Sequence, residues 1–252
     1  MSTKLNSRRS KKKAKKDLLK QLGLLLLLVL FALGSHYLDF DFIPGFTSDS
    51  LLTDKNYEYI ALEDIPEYSE DAYIVINSNN PNFSKEDLQS ECYEYYSSLD
   101  DLGRCGYTEA MVGKEIMPTE ERKSISEVKP TGWNNQKYNF VDGEWVYNRC
   151  HLIGFQLTGE NANRENLITG TRYMNVEGML PFENMIADYV RETGNHVLYR
   201  VTPIFEGNNL LASGVLMEAQ SVEDNEISFC VYAYNVQPGI AIDYTTGNNW
   251  KE

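Results

Sequence analysis

Histidine is scarce in this chain, with three in 252 residues, at positions 36, 151 and 196. Acid–base chemistry near neutral pH therefore has few side chains to draw on. Four cysteines occur (Cys92, Cys105, Cys150 and Cys230) without a Cys-x-x-Cys pair, which argues against a zinc ribbon. Glycine shows no triplet period and the apolar residues no sustained heptads. No segment repeats itself at a spacing of about 20–50 residues, so collagen, coiled coils and repeat arrays are excluded. Basic residues are short in the body. Nine of the 23 Lys and Arg fall in the first twenty positions with one of the 37 acids, which leaves 14 bases against 36 acids for the rest. Any nucleic-acid role must explain how so acidic a body approaches a polyanion. Hydrophobic residues make up 42% of the chain and tyrosine numbers 17. That is enough to bury a core, and the length suits one compact domain plus a short extra region.

The extra region is at the start. Nine bases from Lys4 to Lys20 lead into an apolar stretch from Leu22 to Leu33. A basic run followed by an apolar one is the pattern of an export signal whose positive end stays in the cytoplasm. A spanning helix needs about 20 apolar residues. This run approaches the lower limit only when counted on through Leu38, and Ala32-Leu33-Gly34 offers a cleavage site. An uncleaved N-terminal anchor is preferred over a cleaved signal, and both stay open. Either way the acidic body lies outside the membrane, anchored or secreted. Residues 1–38 are expected to form the basic N-region and hydrophobic helix, 39–71 an extracytoplasmic linker, and 72–252 the functional domain. Outside the cell disulfides become possible. The sequence does not choose among the three full pairings, and a bridge involving Cys105 and Cys150 is the one considered.

The body reads as α+β with a mixed, mainly antiparallel sheet. Ala72–Asn77 is β-branched and ends at Asn79-Asn80-Pro81. Ser84 with Asp87 three residues on predicts a capped helix from Lys85 towards Leu99. Residues 137–141 and 144–147 flank Asp142-Gly143, a hairpin signal with a two-residue turn. Residues 171–193 look helical, with Pro181 opening a second segment, and 197–202, 210–217 and 227–232 read as strands. This order puts Asn148-Arg149-Cys150-His151 at the end of the hairpin's second strand, and Asn175 and Glu183 on the helical stretch beyond.

On an extended strand, Arg149 and His151 face the same way and Cys150 the other. A base and a fixed cation on one face suit attack on a phosphate, because one activates water while the other neutralises the phosphoryl oxygens. The opposite orientation of Cys150 counts against a Cys–His nucleophilic pair.

Asn148-Arg149-Cys150-His151 resembles the Asp-Arg-Gly-His motif of the DNA/RNA non-specific endonucleases, the ββα-metal (His-Me finger) nucleases. Asn166 and Asn175, nine residues apart, and Glu183, eight further on, stand at spacings similar to the family's. Lys129-Pro-Thr-Gly-Trp133 and Asn235–Tyr244 resemble the flanks of its streptococcal membrane-anchored DNA-entry and secreted DNase branch. The resemblance spans residues 72–247. It implies a ββα-metal core and metal-dependent hydrolysis of DNA, with RNA left open and little sequence preference. It implies His151 as general base, Asn175 as ligand to Mg²⁺ (Mn²⁺ as substitute), Glu183 holding the metal's waters and Asn166 supporting the site. Arg149 is the expected phosphate clamp, and Lys129 the preferred non-catalytic contact to nucleic acid. Lys114, Arg122, Lys123, Lys137, Arg164 and Arg172 are further candidates to line a positive groove. Asn148 and Cys150 depart from the family's Asp and Gly, which puts rate and pH optimum in doubt. They also motivate the alternative of a catalytically impaired protein that binds DNA or a partner at the membrane.

Overall fold

The structure, a computed structural model, describes residues 65–252. The expected N-terminal helix and most of the expected linker lie outside the described residues. Six strands form the main sheet: β1 Tyr73–Val75, β2 Tyr93–Tyr96, β3 Thr108–Val112, and, after two strands that belong elsewhere, β6 Val197–Ile204, β7 Gly214–Ser221 and β8 Ser228–Tyr234. Their order is β1-β8-β7-β6-β3-β2 and every pairing is antiparallel. The expected mainly antiparallel α+β domain is therefore present. Two small sheets stand beside it, one of β4 Tyr147–His151 with β5 Leu167–Thr171, the other of β9 Ile240–Ile242 with β10 Asn249–Lys251.

One long helix covers the main sheet. It comes after a short helix, α1 Phe155–Thr158, and is α2, Leu180–Thr193, with Pro181 in its first turn and Gly194 closing it at φ 78. A proline without an amide hydrogen suits the first turn, where that hydrogen has no helical partner, and glycine accepts the left-handed cap at little cost. Phe182, Ile186, Tyr189 and Val190 recur on one face of α2 and are buried. Phe182 sits 4.8 Å from the Phe229 ring of β8 and 4.9 Å from the Tyr73 ring of β1, centroid to centroid. Tyr199, Val201, Val215, Met217 and Val231 complete this core from the sheet. Asn235, fully buried after β8, fastens the small sheet to the large one. Its Oδ1 accepts from the Thr171 amide at 2.8 Å, and its Nδ2 donates to the carbonyls of Thr169 and Ala212.

Four local expectations fail. Ser84 and Asp87 do bond to each other, the Ser84 amide reaching Asp87 Oδ2 at 2.8 Å, but the turn stops there. Instead of running as a helix to Leu99, the chain enters strand β2, whose tyrosines pair with β3. Tyrosine favours a pleated surface, and tertiary pairing overrides a local cap. The Asp142-Gly143 turn also forms, with Glu144 donating to the Val141 carbonyl at 2.8 Å, but it closes on a single bridge, Lys137 to Trp145. Phe140 and Trp145 are exposed, so no buried face extends that ladder. The motif strand β4 pairs with β5, which lies after it in the chain, and all five residues of β5 are buried. The four-residue motif thus lies on the first strand of its hairpin, not the second. The four cysteines are all free, and the Cys105–Cys150 bridge does not form.

Candidate active site

From β4 the chain runs through α1 to β5, then by way of Arg172 and Tyr173 into a π-helical turn, Met174–Met179, and on into α2. Asn175 stands in that turn and Glu183 in the first turn of α2. In an unbroken α-helix, side chains eight residues apart would point about 80° away from each other. The π turn carries an i→i+5 bond, from the Leu180 amide to the Asn175 carbonyl. This reduces the rotation per residue and swings Asn175 back towards the side of Glu183. His151, Asn175 and Glu183 all line one open cleft of about 980 Å³, together with Arg122, Asn148, Arg149 and Arg172.

His151 ends β4 and is buried. Its Nε2 is 2.7 Å from the Asn161 carbonyl, which can only accept, so Nε2 carries the hydrogen and Nδ1 is left as the basic nitrogen. Arg122 Nη2 lies 3.3 Å from Nδ1. Burial is the main cause that pushes the ring down to about 4, and the Arg122 charge adds to it. The imidazole is therefore neutral around pH 7 and able to accept a proton. Asn166, fully buried, holds the backbone next to it from both sides. Its Oδ1 accepts from the Ile153 amide and its Nδ2 donates to the Ile153 carbonyl, each at 2.9 Å. Asn166 therefore positions the segment that carries His151 and does not face the cleft.

Arg149 lines the cleft on the same side as His151, as its spacing predicts. Much of its donor capacity is already engaged. Nε bonds the Val128 carbonyl, Nη2 the Ser126 carbonyl at 2.7 Å, and the guanidinium lies over the Trp133 ring at 4.3 Å. Arg149 acts here as a strut for residues 126–128. Arg122 is the arginine nearest the base; the sequence marked it only as one of eight cations around the motif. Lys129 lies elsewhere, in a separate hollow of about 120 Å³ with Arg164. Lys114, Lys123 and Lys137 do not line the cleft either.

Cys150 points away from His151 into the core, as alternation along the strand requires. Gly170, across the ladder, makes room for it: a Cβ on Gly170 would come within 2.6 Å of the Cys150 Cβ. The thiol, pushed well up by burial, donates to Asn175 Oδ1 at 3.0 Å and so helps fix that oxygen. Glu183 is buried against Gly154, whose missing side chain leaves room for the carboxylate; a Cβ there would lie 2.5 Å from Oε2. Burial pushes Glu183 up to about 7, although a Gly154 amide bond and the Arg122 charge pull the other way.

This donor set suits a hard divalent cation. The amide oxygen of Asn175 and the carboxylate of Glu183 are hard oxygen donors, and a carboxylate raised to about 7 by burial has a charge that a cation would compensate. His151 donates through Nε2 to the Asn161 carbonyl, and its Nδ1, facing Arg122, is the ring nitrogen that can accept a proton.

Residues 81–223 match the family described as DNA/RNA non-specific endonuclease. The chain belongs to this family. A deoxyribonuclease of Streptococcus dysgalactiae subsp. equisimilis is 31% identical over 122 residues, which is 46% of this chain and 36% of that protein. The chain thus spans about a third of the length of that relative. Among solved structures, the Sda1 nuclease with bound zinc ion is similar at a TM-score of 0.63 and 26% identity, covering 72% of this chain and 97% of that one. NucA from Streptococcus agalactiae with magnesium ion bound shares the fold at a TM-score of 0.64 and 24% identity, covering 71% and 86%. The non-specific endonuclease match takes in β4, β5 and all of α2, so His151, Asn166, Asn175 and Glu183 fall inside it.

Proposed function

We propose that this chain is a metal-dependent endonuclease that hydrolyses DNA, and RNA where its cleft admits it, with little sequence preference. The observation that carries the proposal is the meeting, in one cleft, of a neutral imidazole of fixed tautomer with an amide oxygen and a buried carboxylate. Mg²⁺ held by Asn175, with Glu183 bonding its waters and Mn²⁺ as a substitute, would supply charge stabilisation for the pentacovalent phosphate and the leaving 3′ oxygen. His151 Nδ1 takes the proton of the attacking water, while the Asn161 carbonyl holds the ring and stabilises the imidazolium that results. Arg122 turns from His151 to the phosphate as it enters, which frees Nδ1 and places a cation on the phosphoryl oxygens. Asn166 and Arg149 keep the two walls of the cleft in register.

Contacts of this kind reach phosphate and sugar and read no base edges, so sequence preference is weak. Binding needs only a local positive groove, and Arg122, Arg149 and Arg172 line this one although the body is acidic. The basic-then-apolar N-terminus motivates the further reading that the domain works outside the cell, anchored or released. The test is to incubate the purified full chain with plasmid DNA and Mg²⁺, with and without EDTA. Cleavage that stops in EDTA supports the proposal. Cleavage undiminished in EDTA refutes it, and DNA retention without strand breaks in either Mg²⁺ or Mn²⁺ favours a binding protein.

A further inference from the structure

A second cluster of chemically active side chains lies outside the cleft, at one end of the main sheet. Among the described residues, Cys92, Glu115 and His196 each offer one ligand atom, and these atoms lie within 4.8 Å of one another. The topology explains the meeting. Cys92 directly precedes β2, Gly113 directly follows β3 and His196 directly precedes β6, and these three strands are neighbours in the sheet. Tyr93 pairs with Met111, and Val112 with Val197, so the registers run on to set His196 opposite Gly113 and Cys92 opposite the neighbouring Val112. Gly113 leaves the space between them open. A Cβ there would lie 2.6 Å from Cys92 Sγ, from Glu115 Oε2 and from His196 Cδ2.

The spacing fits a particular ion. Cys92 Sγ is 3.4 Å from Glu115 Oε2, and Glu115 Oε2 is 3.7 Å from His196 Nε2. Sulfur, oxygen and nitrogen ligands at zinc bond lengths and tetrahedral angles stand about 3.3–3.6 Å apart, so a shift of a few tenths of an ångström closes this set on the ion. His196 is also oriented for the task. Glu223 Oε1 takes Nδ1 at 2.6 Å, and Glu223 Oε2 accepts from the His196 amide at 2.9 Å. A carboxylate behind the ring fixes the tautomer so that Nε2 keeps its lone pair for the cluster, the usual arrangement behind a metal-bound histidine.

We propose that Cys92, Glu115 and His196 bind one Zn²⁺, with Glu223 orienting the histidine and water in the fourth position. Thiolate and imidazole are softer ligands than Mg²⁺ accepts, so this site and the all-oxygen cleft select different metals. Binding releases the thiol proton to solvent, and the ion ties edge strand β2 to β3 and β6. The zinc site stands independently of the nuclease reading.

The test uses the full chain and its thiols. Cys105, Cys150 and Cys230 are buried, so Cys92 is the cysteine open to alkylation in the folded protein. One equivalent of Zn²⁺ is expected to slow iodoacetamide labelling of Cys92 at least tenfold and Mg²⁺ to leave it unchanged. Co²⁺ is expected to add a thiolate charge-transfer band that disappears in Cys92→Ser and weakens in His196→Gln. An Asn175→Ala variant, with its cleft ligand removed, is expected to retain both signals. Labelling unaffected by Zn²⁺, or a cobalt spectrum without the thiolate band, overturns the proposal. So does Zn²⁺ binding that survives Cys92→Ser but is lost in Asn175→Ala.

Discussion

Replacing Glu183 by glutamine in the metal-free protein isolates the energetic burden of the candidate site. Glu183 is 8% exposed, and burial lifts its folded pKa from 4.5 to about 7. Between those two values the folded chain holds a proton that the unfolded chain has released. Stability therefore falls as pH rises through this window, and the penalty is complete above about 7. At 1.36 kcal/mol per pH unit, the burden at pH 8 is about 3 kcal/mol. His151 behaves in the opposite sense. Its folded pKa is lowered from 6.5 to about 4, so between those values the unfolded chain binds the extra proton and stability rises with pH, again by about 3 kcal/mol. In the wild type the two slopes nearly cancel from about pH 4.5 to 6.5. Glu183→Gln removes one of them. In EDTA at pH 8 the variant should melt above wild type, by roughly 6–12 °C at 2–4 °C per kcal/mol, less whatever the Gly154 bond loses. From pH 4 to 6.5 it should show the uncancelled rise due to His151. Thermal unfolding monitored by circular dichroism across this range measures both effects. A Glu183→Gln protein no more stable than wild type at pH 8, with an unchanged pH profile, would refute the argument.

Three further outcomes are expected. Arg122→Ala should weaken DNA binding for all sequences alike and lower the salt slope of log K by about 1, while Lys129→Ala, away from the cleft, leaves that slope unchanged in a filter-binding titration. Asn166→Ala strands the amide and carbonyl of Ile153, each costing about 1–3 kcal/mol, so urea unfolding should register a loss of roughly 2–6 kcal/mol together with reduced cleavage. Phe182→Ala should destabilise by about 3–5 kcal/mol in the same assay, because its ring is fully buried between Tyr73 and Phe229.

The family was more legible in the sequence than the architecture around the cleft. His151 stood out as one of three histidines, and Asn175 and Glu183 were named because their spacing resembles the family's. The strands after residue 196 were readable from their apolar runs, and α2 from Pro181 and its buried stripe. The partner of the motif strand was misplaced. Asp142-Gly143 is a true turn signal, but a turn does not make a ladder when the flanking aromatics stay in solvent, whereas Leu167–Thr171 is buried on both faces. The cap at Ser84 misled in the same way, since a local hydrogen bond does not decide between helix and edge strand. Lys129 was preferred over Arg122 from sequence, but which cation reaches the cleft depends on how the loop 113–135 folds back, and it is Arg122 that lines it. The π turn had no sequence signature, yet it brings Asn175 towards the side of Glu183.

The most direct test is single-turnover cleavage of duplex DNA in Mg²⁺ by His151→Ala, Asn175→Ala and Glu183→Gln, with DNA affinity measured in parallel. The predicted result is that each variant binds DNA as wild type does. His151→Ala should lose roughly 10²–10⁴-fold in rate, the contribution of a positioned base, and the other two should lose rate alongside it. Wild-type cleavage by any one of the three would contradict the account.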